Sequence, residues 1–146
     1  MLDNHLMILS FTHLISTAII VGIIWVIQVV HYPSFYFIER DEYVSFQKFH
    51  MDKISYIVVP VMLIESISGF ILIYNELNTV LLISMILLFF IWVLTGIFFV
   101  PIHQKLTSGY QEELVEKLVK INWFRTTFWT IRLLLVMAYL ISFYNS

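Results

Sequence analysis

The sequence predicts an all-α fold, an integral membrane four-helix bundle, and three observations carry that prediction. Hydrophobic residues make up 60% of the 146-residue chain and charged residues 12%, with a mean hydropathy of +0.90; soluble domains carry about 25% charged residues. Four apolar runs are each long enough to cross a bilayer, which takes ~20 helical residues. All eight lysines and arginines fall in two stretches, 40–53 and 105–132, the split that the positive-inside rule produces. The expectation is one four-span domain, 1–146, in a bacterial inner membrane, with both termini outside and two basic connections in the cytoplasm.

The first span is placed at about 9–30. It is expected to stop before Pro33, because the residue preceding a proline is pushed out of helical geometry. No basic residue precedes it and no small-residue site follows it, unlike an ordinary cleavable signal peptide. Asp41 is the expected N-cap of a long second helix. The first turns of that helix, 43–50, are amphipathic and project into the cytoplasm before the span at about 54–74. Residues 75–78 form a tight external turn. The third span, about 79–100, is expected to end at Pro101. After a loop at 107–109, the charged segment 112–120 leads without a breaker into the fourth span, about 123–143. Two short helices should therefore alternate with two long ones, and no strong internal repeat is visible. Gly22, Gly69 and Gly96 are expected at close helix contacts, and Pro60 at a kink in the second span.

Composition also excludes several function classes. Four spans use nearly the whole length, which leaves no room for a separate soluble catalytic domain. A net charge of −2, with acids interleaved among the bases, argues against nucleic acid as a partner. The chain has no cysteine, which removes thiolate metal sites, iron–sulfur clusters and covalently attached haem.

The polar residues inside the spans point to function. Glu65 lies about eleven positions into its span (54 to 65) and Arg132 about nine (123 to 132). At 1.5 Å per residue both sit ~13–17 Å deep. A charge at mid-bilayer costs at least ~2.5–3.5 kcal/mol, so opposite charges at one level imply a pair. The pair is either a structural tie between two helices or a proton or ligand site. Asn122, Arg125, Trp129 and Arg132, spaced by three, four and three, share one helix face. Two guanidiniums, an amide and an indole together suit an anionic ligand, since the planar fork of arginine binds acids bidentately; Arg125 equally suits snorkelling toward lipid phosphate at the interface. His31, His50 and His103 fall at one level near the cytoplasmic interface, with Gln28 one turn deeper than His31. They admit proton transfer, metal ligation or haem ligation. His13 lies on the outer half of span one with Ser10 and Thr17 on its face, either as a haem ligand or as a helix-contact hydrogen bond. Trp25 and Trp92 fill the core or stack on a flat ligand.

Part of the first half resembles the bacterial membrane protoporphyrinogen oxidases of the HemJ type. The residues concerned are His13, Trp25 with Pro33, Phe49-His50-Met51-Asp52-Lys53-Ile54, Ile57-Val58-Val59-Pro60-Val61-Met62 and Gly69. That resemblance, over about 13–74, implies a haem-b-associated four-helix bundle acting on a porphyrinogen, with His13 as the first-helix histidine. The second half departs from it. Its Pro101-x-His103 and Asn122-Trp123-x-Arg125-Thr126-x-x-Trp129-x-x-Arg132 look more like small four-span, anthrone-oxygenase-like bacterial membrane proteins.

Two functions follow as expectations. One is a membrane oxidoreductase that binds a lipophilic, partly anionic aromatic substrate (a porphyrin, a quinone or similar) in a cytoplasm-facing polar cavity. Glu65, His50 and His103 would be its catalytic residues, and His13, His31 and Trp129 would hold a cofactor such as haem b. Asn122, Arg125, Arg132, Gln28, Trp25 and Trp92 would contact substrate. The other is a non-enzymatic transporter or accessory subunit, in which Glu65 and Arg132 serve structure or proton coupling. In either, the partners are the bilayer and a lipophilic small molecule, with a homo-oligomer or larger membrane complex left open.

Overall fold

The computed structural model describes residues 4–145. They are almost entirely helical and form four helices long and apolar enough to cross a membrane. Helix α1 (Asn4–Val26) continues through a π-helical turn at Ile27–His31, a short helix at Tyr32–Ser34 and a 3-10 turn at Phe35–Phe37. Helix α2 spans Tyr43–Asn75 and runs unbroken through Pro60. Helix α3 (Thr79–Leu94) continues through a second π turn, Thr95–Phe99, into the short helix Val100–Leu106. Helix α4 spans Glu112–Asn145.

Counted with their extensions, the four helical runs are 34, 33, 28 and 34 residues long. The expected alternation of short and long helices therefore does not hold, and neither Pro33 nor Pro101 ends its helix. The reason is local. A proline in a helix lacks an N–H, and its ring strikes the carbonyl four residues back. Here each proline follows directly on a π turn, in which the Tyr32 N–H bonds the Ile27 carbonyl and the Val100 N–H bonds the Thr95 carbonyl. These wider i→i−5 turns shift the offending carbonyls aside, and the helix passes the proline.

The cap of α2 differs from expectation, and the turn expected at 75–78 supplies a cap for α3. Glu42, not Asp41, precedes the first turn of α2, and it makes no side-chain cap bond. Asn78 caps α3, its side-chain oxygen accepting from the Val80 and Leu81 N–H groups at 2.9 and 3.2 Å.

Helix α1 packs between α2 and α4, and α3 packs chiefly on α4, with a looser seam against α2. Two apolar clusters result, a large one around Ile24, Phe35, Tyr43 and Trp129 and a smaller one around Leu72, Leu81 and Tyr139. The halves echo each other, although the sequence shows no strong repeat. Their π turns begin 68 positions apart (27 to 95), and their prolines share that offset (33 to 101). Each half also supplies one reciprocal bond: Trp25 donates to the Thr130 hydroxyl and Trp92 to the Ser66 hydroxyl, both at 3.1 Å. Of the three glycines expected at close contacts, only Gly69 is at one. A Cβ there would lie 2.4 Å from Met85 Sδ and 2.8 Å from His13 Cε1, whereas at Gly22 or Gly96 it would meet nothing within 4 Å.

Candidate functional site: a sealed ion pair and an open histidine–arginine cavity

The polar residues of the spans separate into three layers. At the centre, Arg132 Nη1 pairs with Glu65 Oε1, and both side chains are fully buried. Helices α2 and α4 face each other across the bundle here, so the pair ties a diagonal. The remaining polar atoms are taken up as well: Trp129 Nε1 donates to Glu65 Oε2 at 3.2 Å and Arg132 Nε donates to the Ser84 carbonyl at 2.8 Å. The principal cavities reach none of Glu65, Arg132 or Trp129.

His13 adjoins this layer. Its Nδ1 lies 3.0 Å from both the Glu65 carbonyl and Ser68 Oγ. A carbonyl can only accept, so Nδ1 carries the proton. Nε2, the atom a haem iron would take, is then a bare acceptor, buried without a partner. The ring is fully buried and abuts the Gly69 backbone. No macrocycle fits beside it, so these residues do not make a haem site.

The second layer joins α1 to α4. Asn122 Nδ2 donates to Gln28 Oε1 at 2.9 Å, Gln28 Nε2 donates to the Val119 carbonyl at 3.3 Å, and Thr126 closes on the same Gln28 oxygen. Gln28 and Asn122 thus bond each other and line none of the principal cavities, with Asn122 Oδ1 left buried without a partner.

The third layer is different. Tyr32, His50, His103 and Arg125 line a cavity of about 260 Å³ between α2 and the α3 run, with Trp92 and Phe99 among its walls. The sequence predicted a cavity open at the end bearing the basic connections. Its exposed wall residues are instead Ser55, Val59, Trp92 and Val100, on the flanks of the helices, and the mouth opens sideways through the loose seam.

The hydrogen-bond network sets proton positions. Gln47 Nε2 donates to His103 Nδ1 at 2.8 Å and toward the His103 carbonyl at 3.4 Å, which fixes it as the amide nitrogen. His103 therefore holds its proton on Nε2 and donates it to the Tyr32 oxygen at 3.0 Å. That oxygen also neighbours the Arg125 guanidinium, a second donor, so the Tyr32 proton is free to be given to something in the cavity. Across the cavity wall, His31 Nε2 and His50 Nδ1 stand 2.6 Å apart, and the His50 and His103 rings are 5.3 Å apart. The three histidines nevertheless do not make a metal centre. The His31 and His50 nitrogens bond each other, both His103 nitrogens are occupied, and among the described residues no group of three His, Asp or Glu side chains is placed to hold an ion.

Arg125 is only 6% exposed. Its guanidinium lies 4.1 Å from the Phe99 ring centroid and 5.3 Å from that of Trp129. Its Nε is buried without a partner, and among the described residues no carboxylate pairs with it.

Of the residues singled out from sequence, the structure brings His50, His103, Arg125 and Trp92 to the cavity and His31 to its border. It places Glu65, Arg132, Trp129, His13, Gln28 and Asn122 in enclosed layers, and Trp25 on the far side of the bundle rim against Thr130 and Trp123. Tyr32 and Gln47 were missed. Gln47 stands one helical turn before His50, a spacing that would have found it; Tyr32 is delivered by the π turn, which leaves no mark in hydrophobic periodicity. The chain matches no protein-family model, no curated protein and no solved structure.

Proposed function

We propose that the chain is an integral membrane protein that binds a lipophilic aromatic acid in the Arg125 cavity and moves protons to or from it in oxidoreductase-type chemistry. The loops around 38–42 and 107–111, with Arg40, Lys48, Lys53, Lys105, Lys117 and Lys120 on or near them, lie in the cytoplasm in this reading, as the distribution of lysine and arginine favours. The observation that carries it is Arg125. A buried guanidinium without an acid is costly, and this one borders a cavity in which an anion would complete it. A volume of about 260 Å³ is at the small end for ligand sites. It suits a compact ring system better than the porphyrin suggested by the resemblance.

In this site Arg125 holds the acid group, and Phe99 and Trp92 flank the ring. Tyr32 donates a hydrogen bond to a substrate oxygen and holds it in place, its own oxygen accepting from His103 Nε2. His50 receives a proton released by the substrate, or returns one, at the opposite wall. None of these side chains carries electrons, so the redox partner must be a separate acceptor.

The test is binding of anthraquinone-2-carboxylate to the detergent-purified protein, followed by quenching of tryptophan fluorescence. The acid should bind, and its methyl ester should bind about tenfold or more weakly, a difference of ~1.4 kcal/mol or above. Arg125→Gln should bring the acid down to the level of the ester. Equal binding of acid and ester, or an unaltered Arg125→Gln, overturns the reading.

A further inference from the structure

A second and larger cavity, about 600 Å³, lies between α1 and α2 on the other side of His50. It is a trough rather than a chamber. The two helices close tightly where Gly69 meets His13, and they diverge toward the π turn at Ile27–His31. Ala18 and Gly22, four residues apart on one helix face, form its floor, and the absence of any atom within 4 Å of a Cβ at Gly22 shows how open it is. Small residues at that spacing usually let helices touch; here they leave a channel. From position 18 to position 31 it runs ~20 Å along the helix at 1.5 Å per residue. The walls are apolar except at one end, where His31, His50 and Lys53 sit beside Phe46 and Phe49.

We infer that this trough is a binding site for a prenylated quinone, with the isoprenoid tail along Ala18 and Gly22 and the ring at the His31–His50 pair. The inference rests on the membrane and oxidoreductase reading above, and it names the acceptor that reading requires. The chemistry of the pair selects the ligand class. Two neutral imidazoles joined by one hydrogen bond present, at their outer nitrogens, one donor and one acceptor. When the bare outer nitrogen takes up a proton and the other outer nitrogen gives one up, the shared proton shifts across and the two roles are exchanged, with both rings neutral again. A quinone oxygen needs a donor and a quinol hydroxyl needs an acceptor, so the pair accommodates both redox states without moving. A phosphodiester or carboxylate head would be served only by donors and would gain nothing from the exchange. The position of His50, on the wall of both cavities, makes it the link. When the substrate in the Arg125 cavity gives up two electrons and two protons, the quinone takes both and becomes quinol, and at least one of the protons crosses through His50 and His31.

The experiment uses the full chain in detergent with a short-tailed prenylated naphthoquinone, measuring quinone retained after gel filtration. Wild type should retain about one equivalent. Gly22→Leu, which fills the trough without a clash, should weaken retention about tenfold or more. Ala18→Leu should act in the same direction should Gly22→Leu fold poorly. Both should leave anthraquinone-2-carboxylate binding at Arg125 unchanged, because neither residue lines that cavity, so loss of one site is read separately from loss of the other. No quinone retained by wild type, retention unaffected by both substitutions, or equal displacement of quinone by palmitate would each overturn the assignment. The last outcome would make the trough a general acyl-chain groove.

Discussion

Two arginines about two turns apart on one helix face, Arg125 and Arg132, are buried to almost the same degree, yet their surroundings are opposite. Arg132 has a carboxylate and a backbone carbonyl, and the carboxylate has an indole besides. Arg125 has two aromatic rings, a tyrosine hydroxyl and a cavity wall. Burial of charge alone therefore does not mark a site. A charge whose partners are all supplied by the fold is a fastening, while one that the fold desolvates and leaves incomplete is prepared for something from outside.

The largest effect expected from this contrast comes from breaking the fastening on one side. Glu65→Met should cost about 3–5 kcal/mol by leaving Arg132 buried and unpaired, and Glu65→Met with Arg132→Met should recover most of it. Chemical unfolding in detergent measures both, and a double variant as unstable as the sum of the singles would mean the pair is not the unit described.

Arg125→Met sharpens the other half of the comparison. Removing a desolvated charge that has no acid should leave stability unchanged or raise it by ~1 kcal/mol, while anion binding is lost. A large loss of stability would show that Arg125 fastens the fold as Arg132 does.

A smaller effect separates the closed and open ends of the α1–α2 contact. Gly69→Ala should cost about 1–2 kcal/mol from overpacking, since Met85 can give way and the His13 ring cannot. Gly22→Ala, with open space around it, should fall within ~0.5 kcal/mol of wild type; equal melting temperatures for the two variants would remove the distinction. The least effect is expected at the rim. Trp25→Phe and Trp92→Phe each lose one hydrogen bond, worth about 0.5–1.5 kcal/mol. The two losses should be similar if the halves are as alike as their reciprocal bonds suggest, and unequal shifts in thermal unfolding would break that likeness.

The four long helices were legible because long apolar runs are a coarse signal that tertiary packing does not override. The Glu65–Arg132 pair was legible for a related reason: depth follows from counting residues along a helix. The shared face of Asn122, Arg125, Trp129 and Arg132 was also correct. Its assignment to one cavity was not, because residues on a single face rise ~1.5 Å per position and meet different neighbours at each level. Asn122 reaches Gln28, Arg125 reaches the cavity, and Trp129 and Arg132 reach Glu65. The sideways mouth and the role of Tyr32 were out of reach, since both depend on π turns that single-residue preferences do not announce. Pro33 and Pro101, read as stops, were in fact the trace those turns leave.

Those turns also set an angular register. Each holds one residue more than an α-helical turn would. Were Ile27–His31 to wind as ordinary α-helix with every residue kept, everything beyond it would swing by about 100° around the axis, the step per residue of a 3.6-residue helix. Tyr32 would be carried away from Arg125 and His103, and His31 from its partner imidazole. The first helical run thus acts like a key with two teeth cut at a fixed angle to its shaft, and the winding of five residues determines whether both teeth engage.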